Sequence, residues 1–270
     1  MTTELAQAFE TVNLHRRGGA AIIELNRPDT MNAWNKQFGL DLRAAVDECT
    51  ANDDIRAVCV TGAGRGFSSG ADLKAMNHDV TPEGKPDVRK RLTEDYHPII
   101  EGLRLMPKPV VAAVNGPAVG IGLSLALASD VIVAKESAYF LLAFVNIGLV
   151  PDGGSSLFVP ERIGFTRAIE MALLGERVLA PQALEWGLIN RVHADEDFQG
   201  EVDALVDRLA AGPTRSYAGT KRQLNKWVFE RMESQLELEA EIQQEMAASD
   251  DFVEGVLAFV QKRSAAFRGV

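Results

Sequence analysis

Short apolar runs that lead directly into glycine-rich turns are the feature that most constrains the fold of this chain. Ala57–Val60 is one such run, and a glycine-rich segment follows it over residues 61–74. Pro109–Val114 is a second, and the turn at residues 115–122 leads from it into a helical pattern. Continuous apolar runs of this length are typical of strands buried on both faces. The recurring order of strand, turn and helix therefore predicts an α/β fold.

The rest of the first 195 residues continues this alternation. Residues 20–25 have the pattern of a strand, and residues 35–51 have the pattern of an amphipathic helix. Residues 88–105 are helical in pattern, but Pro98 predicts a break or kink within them. Residues 76–87 are polar and contain proline and glycine, so we expect a mobile loop there.

The pattern changes after about residue 195. An apolar stripe at helical spacing occupies residues 202–209, and two more helical patterns cover residues 230–248 and 252–263. We therefore divide the chain into an α/β core, residues 1–195, and a C-terminal helical segment, residues 196–270.

Composition excludes several classes of function. Lys and Arg total 28 against 38 Asp and Glu, a net charge of −10, so the chain lacks the clustered cations of a nucleic-acid-binding protein. The long apolar stretch at residues 109–134 is interrupted by polar residues and glycines, which argues against a membrane span. Two cysteines without metal or disulfide spacing, and no signal-peptide pattern near the N-terminus, favour a cytoplasmic protein.

The two glycine-rich turns are the main chemical signal. Residues 62–66 read GxGxG, which lacks the spacing of a dinucleotide fingerprint and the GK[ST] ending of a phosphate-binding loop. Glycines that merely permit a tight turn are the simplest alternative. Each turn follows a buried strand, however, and the N–H groups at the start of a helix are unpaired. Two such turns are able to direct two N–H donors at one oxygen, as in an oxyanion hole.

Five motifs, in order and with matching spacing, resemble the crotonase, or enoyl-CoA hydratase/isomerase, superfamily. The motifs are Leu25–Pro28, Phe67–Leu73, Lys108–Gly116, Ala128–Asp130 and Gly148–Gly154. The resemblance implies a spiral of repeated ββα units. It also implies C-terminal helices that complete the coenzyme A site and assemble subunits into trimers, often paired as hexamers. The substrate would be an acyl-CoA thioester, and no separate cofactor is expected, because coenzyme A is part of the substrate.

By motif position, the resemblance makes Ala71 and Ile121 the residues whose N–H groups hold the enolate oxygen of the thioester. Ile121 stands where glycine is common in the family. Residues beside the two turns are expected to line the substrate site, although Asp72 is mostly structural in the family. They are Ser69, Gly70, Asp72, Leu73, Gly120 and Gly122.

The acid–base residues decide which reaction follows. Hydratases of the superfamily use two glutamates, and the corresponding positions here are Ser124 and Phe144. Neither side chain is a general base near pH 7, so the resemblance argues against standard hydration.

Asp152 is the carboxylate that remains close to the predicted site. The simplest interpretation is a turn aspartate that caps the following helix, because Pro-Asp-Gly favours a turn. Several isomerases of the superfamily, however, carry a catalytic aspartate at this place. Apolar neighbours such as Phe140 and Phe144 are expected to raise the pKa of Asp152 by desolvation. The resemblance then implies an isomerase in which Asp152 moves one proton from the α to the γ carbon of a 3-enoyl-CoA, or assists rearrangement of a ring epoxide.

Three residues resemble family residues that contact coenzyme A: Arg27, Phe259 and Lys262. A plain surface turn at Arg27 and an ordinary amphipathic helix at the other two are the alternatives. Other enzymatic readings also stay open, namely residual hydration, thioester hydrolysis, or dehalogenation by attack of Asp152. A non-catalytic acyl-CoA-binding protein that has lost the glutamates is the remaining alternative.

Overall fold

A seven-stranded sheet, in the order β1-β2-β3-β4-β5-β7-β10, forms the centre of the molecule. The computed structural model describes residues 2–74 and 80–270. Five strands from β3 to β10 run parallel, and β1 and β2 extend the sheet antiparallel at one edge. The strands of this sheet are β1 (Glu4–Ala8), β2 (Val12–Arg17), β3 (Ala20–Leu25), β4 (Ala57–Gly62), β5 (Val110–Val114), β7 (Val131–Lys135) and β10 (Arg191–His193).

A second, three-stranded sheet lies beside the first, and together they build the repeated unit of the fold. Its strands are β6 (Ala118–Val119), β8 (Tyr139–Leu141) and β9 (Val178–Leu179). One strand of the large sheet, one of the small sheet and one helix follow each other twice, as β5-β6-α4 and β7-β8-α5. These are the ββα units that the sequence predicted, so the expected α/β fold is confirmed.

The helices of the described residues are α1 (Lys36–Ala51), α2 (Val88–Arg91), α3 (His97–Leu105), α4 (Ile121–Leu127), α5 (Ser155–Leu174), α6 (Ala180–Trp186), α7 (Phe198–Ala211), α8 (Thr214–Val228), α9 (Met232–Ala247) and α10 (Asp250–Gln261). Helices were found at each place where the sequence predicted one, and two further helices, α6 and α8, were not predicted. Among the described helices, none is both long enough and apolar enough to cross a membrane.

The expected break near Pro98 lies just before the proline. A π-helical turn, Leu92–Tyr96, separates α2 from α3. Pro98 then falls in the first turn of α3, where a backbone N–H is not needed, so the helix tolerates it. Part of the loop expected at residues 76–87 lies outside the described residues, which resume at Val80. A bridge between Val80 and Pro86 closes its described part.

The C-terminal helices pack against the core in two places. Helix α7 covers one face of the large sheet, where Phe198 and Val202 belong to the same apolar cluster as Cys59 and Val133. Helix α9 contacts α2 and α5 near the predicted site. The boundary placed at residue 195 falls between β10 and α7. The assignment of separate tasks to the two parts stays a prediction.

Candidate active site

The first glycine-rich turn is held between two other segments of backbone. The Trp34 N–H donates to the Gly70 carbonyl at 2.8 Å, and the Asp72 N–H donates to the Trp34 carbonyl at 3.0 Å. Gly70 and Asp72 thus make the two hydrogen bonds of a parallel bridge to Trp34. The N–H of Ala71, which lies between them, therefore points away from Trp34. On the other side, the Val119 N–H donates to the Ser68 carbonyl at 2.9 Å. The predicted donor Ala71 is therefore held in a defined orientation.

The second turn lies directly against the first. Gly70 has a φ of +88°, and a Cβ atom there would come within 2.9 Å of the Val119 carbonyl oxygen. Gly122 approaches Ser68 so closely that a Cβ atom would lie 2.6 Å from the Ser68 Cβ. Gly120 precedes α4, and Ile121 is its first residue, where backbone N–H groups have no partner within the helix. The structure thus brings the Ala71 and Ile121 turns together.

Asp152 lies on a third turn, which packs onto α4. The Ser124 hydroxyl donates to the main-chain carbonyl of Asp152 at 2.7 Å. The next residue, Gly153, has a φ of +61°, and a Cβ atom there would come within 2.4 Å of the Ile121 side chain. A side chain at 153 would push this turn away from α4, so the glycine keeps Asp152 beside the Ile121 turn.

The Asp152 carboxylate is buried, and one of its two oxygens accepts a hydrogen bond. Its Oδ2 accepts a hydrogen bond from the Gln243 Nε2 at 2.7 Å. Within the described part of the chain, its Oδ1 is buried and has no hydrogen-bond partner. Burial raises the pKa of Asp152 to about 7, against the opposing effects of the Gln243 hydrogen bond and the Arg91 charge. The direction is the one expected from the sequence, and a carboxyl with this pKa can accept and return a proton near neutrality.

The Asp152 side chain does not cap the helix that follows it, so that alternative interpretation is wrong. Helix α5 begins at Ser155 after Gly154, which provides no side-chain cap. The cap comes from α9 instead, because Glu239 accepts the Gly154 N–H at 2.7 Å and the Ser156 N–H at 3.0 Å. The Asp152 carboxylate is therefore left out of the local turn structure.

The two positions expected to hold glutamates in a hydratase are occupied by groups that do not titrate near neutrality. Ser124 is fully buried, and its hydroxyl is bound to the Asp152 carbonyl. Phe144 is buried, and its ring lies 3.9 Å from where a Cβ atom of Gly120 would be. In the described ranges, no three His, Cys, Asp or Glu side chains come together as a metal site.

The residues expected at the coenzyme A site fall into two groups. Near the first turn, the Arg27 Nη2 pairs with the Asp72 Oδ2 at 3.1 Å, and its Nη1 donates to the Ala33 carbonyl. Ser69 binds the Thr30 carbonyl through its hydroxyl, and Leu73 lies half-buried just before the undescribed residues.

The second group lies at the other end of the chain. Phe259 and Lys262 are exposed at the end of α10, a helix that packs mainly on Phe144–Ile147 and α9. Their contact with coenzyme A stays a prediction.

Sequence reasoning missed Glu239 and Gln243, which approach the Asp152 turn from α9. A signal was present, because these two polar residues stand on the apolar face that also carries Leu236 and Ala240. Buried polar side chains are normally paired, so polar residues on a buried face indicate a specific partner. The partner is more than 80 residues away in sequence, however, and only the packing identifies it.

Comparison with known proteins agrees with this geometry. The family described as enoyl-CoA hydratase/isomerase matches residues 15–270. The chain belongs to this family. A probable enoyl-CoA hydratase from Rhodobacter capsulatus is 40% identical over 262 residues, covering 97% of this chain and 99% of the relative. A 1,2-epoxyphenylacetyl-CoA isomerase from Escherichia coli is 38% identical over 261 residues, with 97% and 99% covered.

Among solved structures, an enoyl-CoA hydratase from Mycobacterium avium subsp. paratuberculosis superposes with a TM-score of 0.88 at 36% identity. The match covers 97% of this chain and all of that one. Crotonase-type chemistry on acyl-CoA thioesters, and the crotonase fold, are therefore established for this chain at the level of the family.

Proposed function

We propose that this protein is an acyl-CoA isomerase in which Asp152 is the single acid–base residue. The observation that carries the proposal is the Asp152 carboxylate, which is buried beside the Ile121 turn and whose Oδ1 has no hydrogen-bond partner among the described residues. Ser124 and Phe144, at the two hydratase positions, offer no second carboxylate. Hydration requires an activated water as well as a proton donor, whereas moving a double bond requires one group that takes a proton and returns it.

The reaction begins at the α carbon of a 3-enoyl-CoA. Asp152 takes an α proton through Oδ1, and the electron pair of the broken C–H bond moves into a dienolate. The charge that develops on the thioester oxygen is stabilised by the N–H groups of Ala71 and Ile121, because preorganised donors act strongly in a buried site. A base with a pKa of about 7 is ionised often enough to take the proton and acidic enough to return it.

Protonation at the γ carbon completes the reaction. Asp152, now neutral, donates the same proton to that carbon, and the double bond becomes conjugated with the thioester. The product is a 2-enoyl-CoA, and Asp152 is again an anion. No atom is gained or lost in this sequence, so water is not a reactant.

An aryl epoxide is a second substrate class for the same site. The Escherichia coli relative is named a 1,2-epoxyphenylacetyl-CoA isomerase and is similar over nearly the whole chain. In a ring epoxide of an aryl-acetyl-CoA, the C–C bond shared by the epoxide and the six-membered ring breaks as the ring expands to an oxepin. Asp152 then moves the α proton to the γ carbon in that ring, so no atom is gained or lost. Stabilisation by Ala71 and Ile121 and proton transfer by Asp152 apply there as well.

Coenzyme A contacts and assembly belong to the same proposal. Arg27 lies at the edge of the first turn, and Phe259 and Lys262 are exposed on α10. We propose that these three residues bind coenzyme A and that the protein assembles into trimers or hexamers. Sedimentation with and without coenzyme A measures the second part directly.

Mass spectrometry of one reaction in D₂O tests the proposed reaction. The purified protein is mixed with a 3-enoyl-CoA and, separately, with a 2-enoyl-CoA and an epoxyphenylacetyl-CoA. Isomerisation without a mass gain beyond exchanged deuterium is the expected result.

Hydration is the alternative outcome, and the Rhodobacter capsulatus relative, a probable hydratase, is the observation that favours it. A gain of one D₂O on the 2-enoyl substrate would overturn the proposed reaction. A covalent acyl group on Asp152 would instead identify nucleophilic attack, as in thioester hydrolysis or dehalogenation. Acyl-CoA binding without turnover of any substrate would leave a non-catalytic binding protein.

A further inference from the structure

Two polar side chains on one face of α9 bind the backbone just before and just after Asp152. Gln243 donates to the Asp152 Oδ2 at 2.7 Å and accepts the Val150 N–H at 3.2 Å. Glu239, one helical turn earlier, accepts the Gly154 and Ser156 N–H groups after the turn. The backbone on each side of Asp152 is therefore bound to the same rigid helix.

Glu239 is surrounded by donors. In addition to the two backbone N–H groups, the Ser156 hydroxyl hydrogen-bonds to its carboxylate, and Gln235 donates to that hydroxyl at 2.8 Å. Glu239 is only 3% exposed. A carboxylate that accepts several hydrogen bonds at the start of a helix is stabilised as an anion.

We infer that Glu239 is a positioning residue for Asp152, which, together with Gln243, fixes the Asp152 turn so that Oδ1 alone faces the substrate. This inference rests on the proposed function, because it assigns an orientation and an environment to the proposed base. Gln243 occupies Oδ2 directly. Glu239 acts through the backbone of residues 154–156 and through its negative charge.

The charge of Glu239 opposes ionisation of Asp152, and the reverse also holds. Burial raises the pKa of Glu239, and the nearby Asp152 raises it further, whereas its hydrogen-bond donors lower it. The other titratable groups that face Asp152 are Arg91 of α2, which favours the Asp152 anion, and Tyr96 of the π-helical turn. The pKa values of about 8 for Glu239 and about 7 for Asp152 lie close together, so the two carboxyls titrate as a coupled pair. Each of them is harder to ionise when the other is an anion.

Opposite shifts from the two α9 residues are the expected signature. Glu239→Gln removes the carboxyl that is coupled to Asp152, so the Asp152 titration midpoint should move to lower pH. Gln243→Met removes the donor to Oδ2, so that midpoint should move to higher pH. Glu245→Gln makes the same chemical change on the exposed side of α9 and serves as the matched control.

The midpoint is measured without substrate, by ¹³C NMR of the protein labelled at aspartate carboxyls. Asp152→Asn identifies the Asp152 resonance by its loss. Glu239→Gln is also expected to lower kcat by ~10- to 100-fold with KM unchanged, because a small displacement of a reacting group is costly. A midpoint in Glu239→Gln at or above that of the natural protein would overturn the inference.

The experiments distinguish a failure of the proposed function from a failure of the inference about Glu239 and Gln243. If Asp152→Asn turns over normally, the proposed function fails, whereas the NMR shifts still test how α9 holds the Asp152 turn. If Glu239→Gln does not fold, Gln243→Met remains as the test. An unchanged or lower midpoint in that variant would also overturn the inference.

Discussion

Asp130 and Asp152 are two carboxylates of the same fold with opposite surroundings. Asp130 lies at the start of β7, where its Oδ1 pairs with the Arg104 guanidinium. Its Oδ2 accepts the Lys221 ammonium at 2.8 Å and the Val110 N–H at 2.8 Å. Both oxygens of Asp130 are therefore used to join β5, β7, α3 and α8.

Asp152 has one amide donor on Oδ2 and, in the described chain, none on Oδ1. Desolvation is not offset by a cation in contact with it, so the pKa rises to about 7. A fully paired carboxylate stabilises the fold, whereas a partly paired one keeps an oxygen free for chemistry. The two aspartates therefore differ in their partners and in burial, since the Asp130 side chain is 19% exposed and Asp152 is 4% exposed.

Replacing Asp152 should have the largest effect on turnover. Asp152→Asn removes the base but keeps the size of the side chain, so we expect kcat/KM to fall by ~10³-fold with coenzyme A binding retained. Steady-state kinetics and calorimetric titration with coenzyme A measure the two quantities. Asp47→Asn, on the exposed face of α1, is the matched control. Turnover of Asp152→Asn at the natural rate would exclude Asp152 as the base.

Replacing Asp130 should instead affect stability. Asp130→Asn leaves Arg104 and Lys221 without their carboxylate, so the free energy of unfolding should fall by about 3 kcal/mol. Urea unfolding followed by circular dichroism measures this change. At temperatures where the variant is folded, its kcat should stay near that of the natural protein. A large loss of kcat in a folded Asp130→Asn protein would contradict the separation of the two aspartates.

The pH dependence of turnover should follow Asp152. The base must be ionised, so kcat/KM should fall about tenfold per unit as the pH decreases below about 7. Initial rates from pH 5 to pH 9 give the midpoint. An acid limb near 3.8, the ordinary aspartate value, would mean that burial does not control this group.

A smaller effect concerns the stability of Asp152→Asn. The folded-state pKa is raised, so Asp152 stabilises the fold while it is protonated, and this contribution is lost as pH rises through about 7. Asparagine does not lose a proton. The free energy of unfolding of the variant minus that of the natural protein should therefore be about 1–3 kcal/mol larger at pH 8 than at pH 5. Thermal unfolding at both values gives the comparison. A Tm difference that does not change with pH would contradict it.

Local pattern was sufficient for strands β3, β4 and β5 of the large sheet and for several helices, whereas β1, β2 and β10 were not predicted. The strand expected at residues 20–25 and the helix expected at residues 35–51 agree with β3 and α1 to within a residue. Asn35 caps α1 through the Phe38 N–H, so the start of that helix is encoded locally. The start of α5 was expected just after Asp152, but its extent to Leu174 was not predicted, because its apolar residues do not form one clear face.

The residues of the candidate site were predicted from the sequence, but their spatial arrangement was not. Ala71, Ile121 and Asp152 were identified by the resemblance of short motifs, each of which forms one turn. Their mutual approach depends on Gly70, Gly122 and Gly153, which allow the backbone segments to come into contact.

The sequence by itself determined the α/β class and the family, because these follow from periodicity and from motifs a few residues long. That Ser124 and Phe144 stand where hydratases carry glutamates stays a prediction from the same motifs. Tertiary structure alone decided that the Asp152 Oδ1 has no hydrogen-bond partner among the described residues, that its side chain does not cap α5, and that Glu239 and Gln243 hold its turn. The physical reason is that these hydrogen-bond partners are 83 to 91 positions apart in sequence, and only packing joins such residues.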